Sequence, residues 1–163
     1  MNIALLTNTF TPHVGGVARS VDAFAKAYRE LGHHVLVVAP EFDDAPEYET
    51  DVFRIPAIQH FNGSDFSVVL TVPSELSDYM EEFKPDIIHS QHPFLLGWTA
   101  VRMARMLDLP LVFTHHTLYE QYTHYVPGYS PGMKRFIIEL STRYANLTDQ
   151  VFAPSESIHD LLI

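Results

Sequence analysis

Three short stretches of this chain carry residue types that can bind or polarise a ligand. The first is Phe10-Thr-Pro-His-Val-Gly-Gly16, a paired-glycine turn between an apolar N-terminal run and an amphipathic segment. A helix start leaves about four backbone N–H groups without intrahelical partners and carries roughly half a positive charge. With no Cβ at Gly15 or Gly16, a phosphate can approach those groups closely. The pair can equally serve only to make a tight turn. The second stretch is His89-Ser-Gln-His-Pro-Phe-Leu-Leu-Gly97. A neutral imidazole there can donate to a sugar hydroxyl or accept from one, or it can simply be satisfied by backbone carbonyls. The third is Thr114-His-His-Thr-Leu-Tyr-Glu-Gln-Tyr-Thr-His-Tyr125, dense in hydroxyls, imidazoles and aromatic rings. That mixture suits a carbohydrate or polyol, rings covering apolar sugar faces while polar tips fix hydroxyls. It also suits a loop whose aromatics pack into the core.

Other chemistries fit less well. Zinc would require ligands such as His89, His92, His115 and His116 to converge, and the helical zinc signature of a metalloprotease is absent, so no metal is expected. Neither the Gly-x-Gly-x-x-Gly of a nicotinamide site nor the Gly-Lys-Ser/Thr of a P-loop is present. There is no Gly-x-Ser-x-Gly elbow, and a chain without cysteine has no thiol nucleophile.

Stepping along the chain gives the elements that must position these residues. Residues 2–7 form a buried apolar run. Val17, Val21, Phe24, Tyr28 and Leu31 then recur at three and four residues, predicting a helix over 16–31 that Gly32 stops. A second buried run covers 34–39, and strand, helix, strand argues for a parallel crossover. Short strands are expected at 52–55 and 66–72. A helix through Leu76, Tyr79, Met80 and Phe83 ends at Pro85. A strand at 86–89, a helix at 95–107 and a strand at 111–114 follow. Ser130-Pro131 pairs an N-cap residue with a first-turn proline, opening a helix whose buried stripe is expected to be Phe136, Leu140, Tyr144 and Leu147. A strand at 150–153 and a last helix after Pro154-Ser155 complete the pattern. Apolar runs alternating with helices indicate an α/β fold, a Rossmann-like parallel sheet sandwiched by helices. Ligands of such sheets sit beyond the C-terminal strand ends, here the loops after Thr7, Ala39, His89, Thr114 and Ala153.

The 163 residues suit one domain, and 47% apolar content fits a folded chain rather than a disordered one. No apolar run approaches the roughly 20 residues that span a bilayer. The N-terminus lacks the marks of a signal peptide, and with no cysteine a cytoplasmic setting is expected. A formal charge of −10, from 20 acids against 10 bases, argues against nucleic acid as a partner, because phosphate neutralisation supplies most of that affinity. It also disfavours nonspecific attraction to an anionic membrane. Lys134-Arg135 is the one adjacent basic pair and reads as a solvated helix face.

Taken in order, Asn8-Thr-Phe-Thr-Pro-His-Val-Gly-Gly-Val-Ala, Leu31-Gly-His-His-Val, Asp86-Ile-Ile-His-Ser-Gln-His-Pro-Phe, Thr114-His-His-Thr and Ala153-Pro-Ser-Glu-Ser resemble glycosyltransferase family 4. These are retaining, nucleotide-sugar-dependent enzymes of the two-domain GT-B architecture. The likeness is strongest to the branch with bacterial glucosyltransferases acting on diacylglycerol. The resemblance implies that residues 1–163 are the N-terminal, acceptor-side domain, inactive without a C-terminal nucleotide-sugar domain that lies outside this sequence. That absent domain would bring a basic pair and a Glu-x7-Glu motif. Gly15 and Gly16 would meet the donor diphosphate. The loop from Phe10 to His13 would border the acceptor, with Tyr119, Tyr122, Gln91, His115 and His116 as further acceptor- or sugar-binding residues. Many members carry a His-x-His whose second histidine contacts the donor sugar. Here that register reads His89-Ser-Gln91, and His92 follows one residue later. His92 is taken as the catalytic histidine, with Gln91 as the alternative. No cofactor is implied, since the nucleotide-sugar is a substrate. The implied partners are that donor, a sugar or lipid acceptor and the C-terminal domain, with peripheral membrane contact allowed but not favoured by the charge. A standalone α/β module that binds sugars or phosphates without catalysis is the competing reading.

Overall fold

The computed structural model describes residues 1–116 and 130–162. Six strands form one parallel sheet in the order β3-β2-β1-β4-β5-β6: β1 Asn2–Leu6, β2 His34–Pro40, β3 Val52–Ile55, β4 Ile87–Ser90, β5 Leu111–Thr114 and β6 Gln150–Phe152. The helices are α1 Gly16–Glu30, α2 Glu75–Phe83, α3 Leu96–Met106, α4 Pro131–Ala145 and α5 Glu156–Leu162. The α/β sandwich expected from the apolar runs is what forms.

Both faces of the sheet are covered, and alternation along each strand divides the core in two. Ile3, Leu5, Val35 and Val37 pack with Val21 and Ala25 of α1. Ala4, Leu6, Leu36, Val38 and Ile88 pack with Leu76 and Met80 of α2, with Ala100 and Met103 of α3, and with Tyr144 of α4. Burying side chains of this size contributes about 1.5–3 kcal/mol each, which is why the pattern of apolar runs fixes the sheet so firmly. Gly32 ends α1 as expected. It takes a φ of +84°, and the N–H groups of Gly32 and His33 return to the carbonyls of Arg29 and Tyr28 in a Schellman closure.

Two expectations need correction. Residues 66–72 form no strand of the sheet; the segment makes a single antiparallel bridge between Ile58 and Val68. Val68 spends its backbone N–H and carbonyl on Ile58, at 3.0 and 2.9 Å, and not on an edge of the sheet. The predicted stripe of α4 is also displaced. Tyr144 is buried, but Phe136 is 60% exposed and Leu147 38%, whereas Ser141 is buried. Ser141 tolerates burial because its hydroxyl donates to the Ile137 carbonyl one turn back at 2.9 Å.

The strand order reverses between β1 and β4. Strands on one side of β1 run outward as β2 and β3, and on the other as β4, β5 and β6. A crevice at the C-terminal edge forms at such a reversal, so the loops after β1 and β4 are the ones to inspect.

Candidate functional site at the strand reversal

Asn8, just past β1, ties those two loops together. Its backbone N–H donates to His92 Nδ1 at 3.1 Å. Its side-chain oxygen accepts the Leu96 N–H at 3.0 Å, so it supplies the cap that α3 lacks from its own preceding residue. Its amide nitrogen donates to the Phe94 carbonyl at 3.0 Å. Nothing in the local sequence flags Asn8, because its partners lie more than 80 residues away.

His92 is buried, and its tautomer is set by this contact. Nδ1 accepts, so the proton of the neutral ring sits on Nε2. Burial, with the imidazole of His116 adding repulsion, lowers its pKa from 6.5 to about 3, so near neutral pH the ring is an uncharged donor. The backbone around it is also held. Ser90 Oγ lies 3.0 Å from the His92 carbonyl, and the Tyr144 hydroxyl lies 2.6 Å from Ser90 Oγ and 2.9 Å from the Gly97 carbonyl. A Cβ on Gly97 would run into the His92 carbonyl oxygen, so only glycine fits this turn into α3.

Gln91 is fully buried beside it. His116 Nε2 donates to Gln91 Oε1 at 2.6 Å, and the Gln91 amide nitrogen has no hydrogen-bond partner among the described residues. Thr9 Oγ1, in the loop after β1, is likewise buried and has no partner among those residues. Buried polar atoms in that state cost about 1–3 kcal/mol each, and in a crevice they are where a ligand's hydroxyls gain most. Burial, then the charge of His115, lowers His116 to about 4. His115 is buried with its ring 5.6 Å from Phe113.

His89 does not join this group. As the register partner of Leu5 and Val112 it lies on the α1 face, with its ring 5.5 Å from Phe24 and 5.9 Å from Phe152. Its Nε2 lies 2.8 Å from the Thr114 hydroxyl. Burial foremost, and His116 next, lowers it to about 4. Among the described residues no three His, Asp or Glu side chains converge on a metal site.

The glycine turn sits at the neighbouring strand end. Gly15 is the N-cap of α1 in an extended conformation, with no side chain capping the helix and no acid in its first turn. Gly16 is open, with nothing within 4 Å of a Cβ placed on it. Phe10 turns inward, 5% exposed and packed on the α1 side of the sheet. His13 packs against the rings of Phe42 and Phe66, at 5.5 and 5.2 Å. The loop is anchored by Arg54 of β3, which sequence reasoning did not single out. Its guanidinium pairs with Glu49 through 2.6 and 2.7 Å contacts, donates to the carbonyls of Pro40 and Thr11, and lies 5.5 Å from the centre of the Phe10 ring. Tyr119 and Tyr122 lie outside the described residues.

The family model described as Glycosyltransferase Family 4 matches residues 14–163. The chain belongs to glycosyltransferase family 4. Among curated relatives it is 32% identical over 166 residues to an alpha-monoglucosyldiacylglycerol synthase of Streptococcus pneumoniae, covering 99% of this chain and 37% of that protein. A second, from Acholeplasma laidlawii, carries the same name and is 29% identical over 171 residues, covering all of this chain and 43% of that protein. A GDP-mannose-dependent alpha-mannosyltransferase of Mycobacterium tuberculosis is 29% identical, covering all of this chain and 44% of that protein. The chain thus spans well under half the length of these relatives. Sucrose-phosphate synthase from Thermosynechococcus elongatus shares the fold at a TM-score of 0.70 and 17% identity, over 99% of this chain and 44% of that one. The family match begins at Val14, so it takes in the glycine turn, the β4 loop with His92 and the strand end with His116.

Proposed function

We propose that this chain is the acceptor-side half of a retaining glycosyltransferase that moves a sugar, glucose in the first instance, from a nucleotide-sugar to a lipid hydroxyl such as that of diacylglycerol. The observation that carries the reading is the match along essentially the whole chain to two monoglucosyldiacylglycerol synthases. In this reading the open N-terminus of α1 at Gly15 and Gly16 receives the donor diphosphate. The Nε2–H of His92 donates to a hydroxyl of the transferred sugar, where a neutral donor neither repels nor competes with developing positive charge at the anomeric carbon. Gln91 and Thr9 offer further unpaired polar groups to sugar or acceptor. The loop of His13, with Tyr119 and Tyr122, borders the acceptor, and no metal or cofactor is required.

Charge supports a division of labour. Transfer leaves negative charge on the departing nucleotide, and stabilising such charge is commonly the largest catalytic contribution. Arg54, the cation of β3 nearest the glycine turn's loop, already spends its donors on Glu49, Pro40 and Thr11. The helix N-terminus offers roughly half a charge. In this reading the remaining cations come from a second domain, and the chain is inactive without it. The test compares the isolated chain with a version extended to the length of its relatives, using radiolabelled UDP-glucose and diacylglycerol vesicles. Glucosyl-lipid formed only by the extended protein supports the reading. Micromolar UDP-glucose binding by the isolated chain, with no transfer by the extended one, would favour a standalone binding module.

A further inference from the structure

Among the described residues, the side chain that lies against the uncapped N-cap of α1 is His13. Its side chain is 7% exposed. Nε2 stands 3.1 Å, and the adjoining Cδ2 3.4 Å, from the position a Cβ would take on Gly15, the N-cap itself. The edge of the imidazole therefore rests against the residue from which the free N–H groups of the first turn begin. The rings of Phe42 and Phe66 pack against it at 5.5 and 5.2 Å. The opposite nitrogen, Nδ1, faces the Asp65 carboxylate at 3.6 Å.

We infer that His13 is a ligand of the anion bound at the start of α1, charged on binding through Asp65. This rests on the reading that a diphosphate occupies that turn and adds to it a proton and a residue. The chemistry follows from having acceptors at both ends of the ring. A neutral imidazole carries one N–H. With a phosphate oxygen at Nε2 and a carboxylate at Nδ1, either tautomer leaves a lone pair facing an anion. Both contacts become hydrogen bonds once the ring holds two protons, so the phosphate is bound together with one proton from solvent. The other charged groups nearby have partners of their own or stand further along α1, as Arg19 does. Arg54 is paired with Glu49, Asp43 lies 2.9 Å from His60, and the first turn of α1 has no acid. The glycine at position 15 gains a second reason: a Cβ there would press on the imidazole edge at 3.1 Å.

UDP-glucose is a suitable probe, because its diphosphate diester does not titrate near neutrality. The chain is titrated at about pH 6 and about pH 8, while NMR follows the amides of Gly16, Val17 and Ala18 and the ring nitrogens of His13. Saturable amide shifts are expected, with protonation of both His13 nitrogens on binding and an affinity roughly tenfold higher at the lower pH, the scale of one charge-assisted hydrogen bond. His13→Asn should bring the two affinities together. Asp65→Asn, at a position whose side chain is 75% exposed, should weaken the pH dependence without touching the core. If the amides shift but neither variant changes the affinity or its pH ratio, His13 is not a ligand and the inference falls alone. If the amides of the first turn do not shift at all, the diphosphate site falls and takes the inference with it.

Discussion

Acid should unfold this protein through three histidines well before its carboxylates titrate. His89, His92 and His116 have pKa values lowered to about 4, 3 and 4, in each case chiefly by burial. In the unfolded chain each returns to about 6.5. The unfolded state therefore binds more protons between those values, and stability falls as pH drops through the window from about 6.5 toward about 4. At about pH 5 an unfolded histidine is almost fully charged and a folded one almost fully neutral, so each contributes about 2 kcal/mol of lost stability relative to about pH 7.5. The sum of about 6 kcal/mol is an upper bound, because repulsion between two imidazolium groups is counted for both partners; it still compares with the 5–15 kcal/mol of a typical domain. Urea unfolding followed by far-UV circular dichroism at half-unit steps of pH measures the slope. His92→Gln should reduce that slope by about one proton whatever it does to absolute stability. A stability unchanged within about 1 kcal/mol between those two pH values would refute the reasoning, since it would mean that the buried rings are already charged or hydrated.

Three substitutions probe the framework of the site. Asn8→Ala removes the cap of α3 and one of the two donors to the Phe94 carbonyl, and should cost about 1–3 kcal/mol by urea unfolding; Asn8→Asp, which keeps the Leu96 contact, should cost less. Gly97→Ala forces the turn away from the His92 carbonyl and should cost about 3 kcal/mol or more, with the largest amide shifts at residues 91–98. Arg54→Met should cost about 3–5 kcal/mol because it strands the half-enclosed Glu49. A double-mutant cycle with Glu49→Gln should then show a coupling above about 1 kcal/mol.

The sheet was readable because its information is local. Val35 to Ala39 is apolar without alternation, and that alone says a strand buried on both faces. Gly32 and Ser130-Pro131 announce their helix ends by backbone chemistry, and Ser130 Oγ does accept from the Met133 N–H at 3.2 Å. The α4 stripe was misread because period identifies a helix but not which of two apolar arcs faces inward. Tyr144 is drawn in by hydroxyl partners on Ser90 and Gly97, about 50 residues earlier, which no periodicity contains. Asn8 and Arg54 escaped for the same reason. An asparagine before a loop and an arginine in a short strand look ordinary until topology brings the far partners alongside. In the histidine-rich stretches, residue type located the loops, but only the strand register separates His89, beneath α1, from His92 beside Asn8.

The ring of Trp98 stands edge-on to Tyr144 at 5.8 Å, and it is the chain's one tryptophan. Half in solvent at 44% exposure, it sits one residue beyond Gly97 and one hydroxyl away from Ser90. The protein thus carries a native fluorophore at the turn that shapes His92. Its emission wavelength and quenching by iodide would report any movement of that turn, in a titration or a stopped-flow trace, without a label having to be introduced.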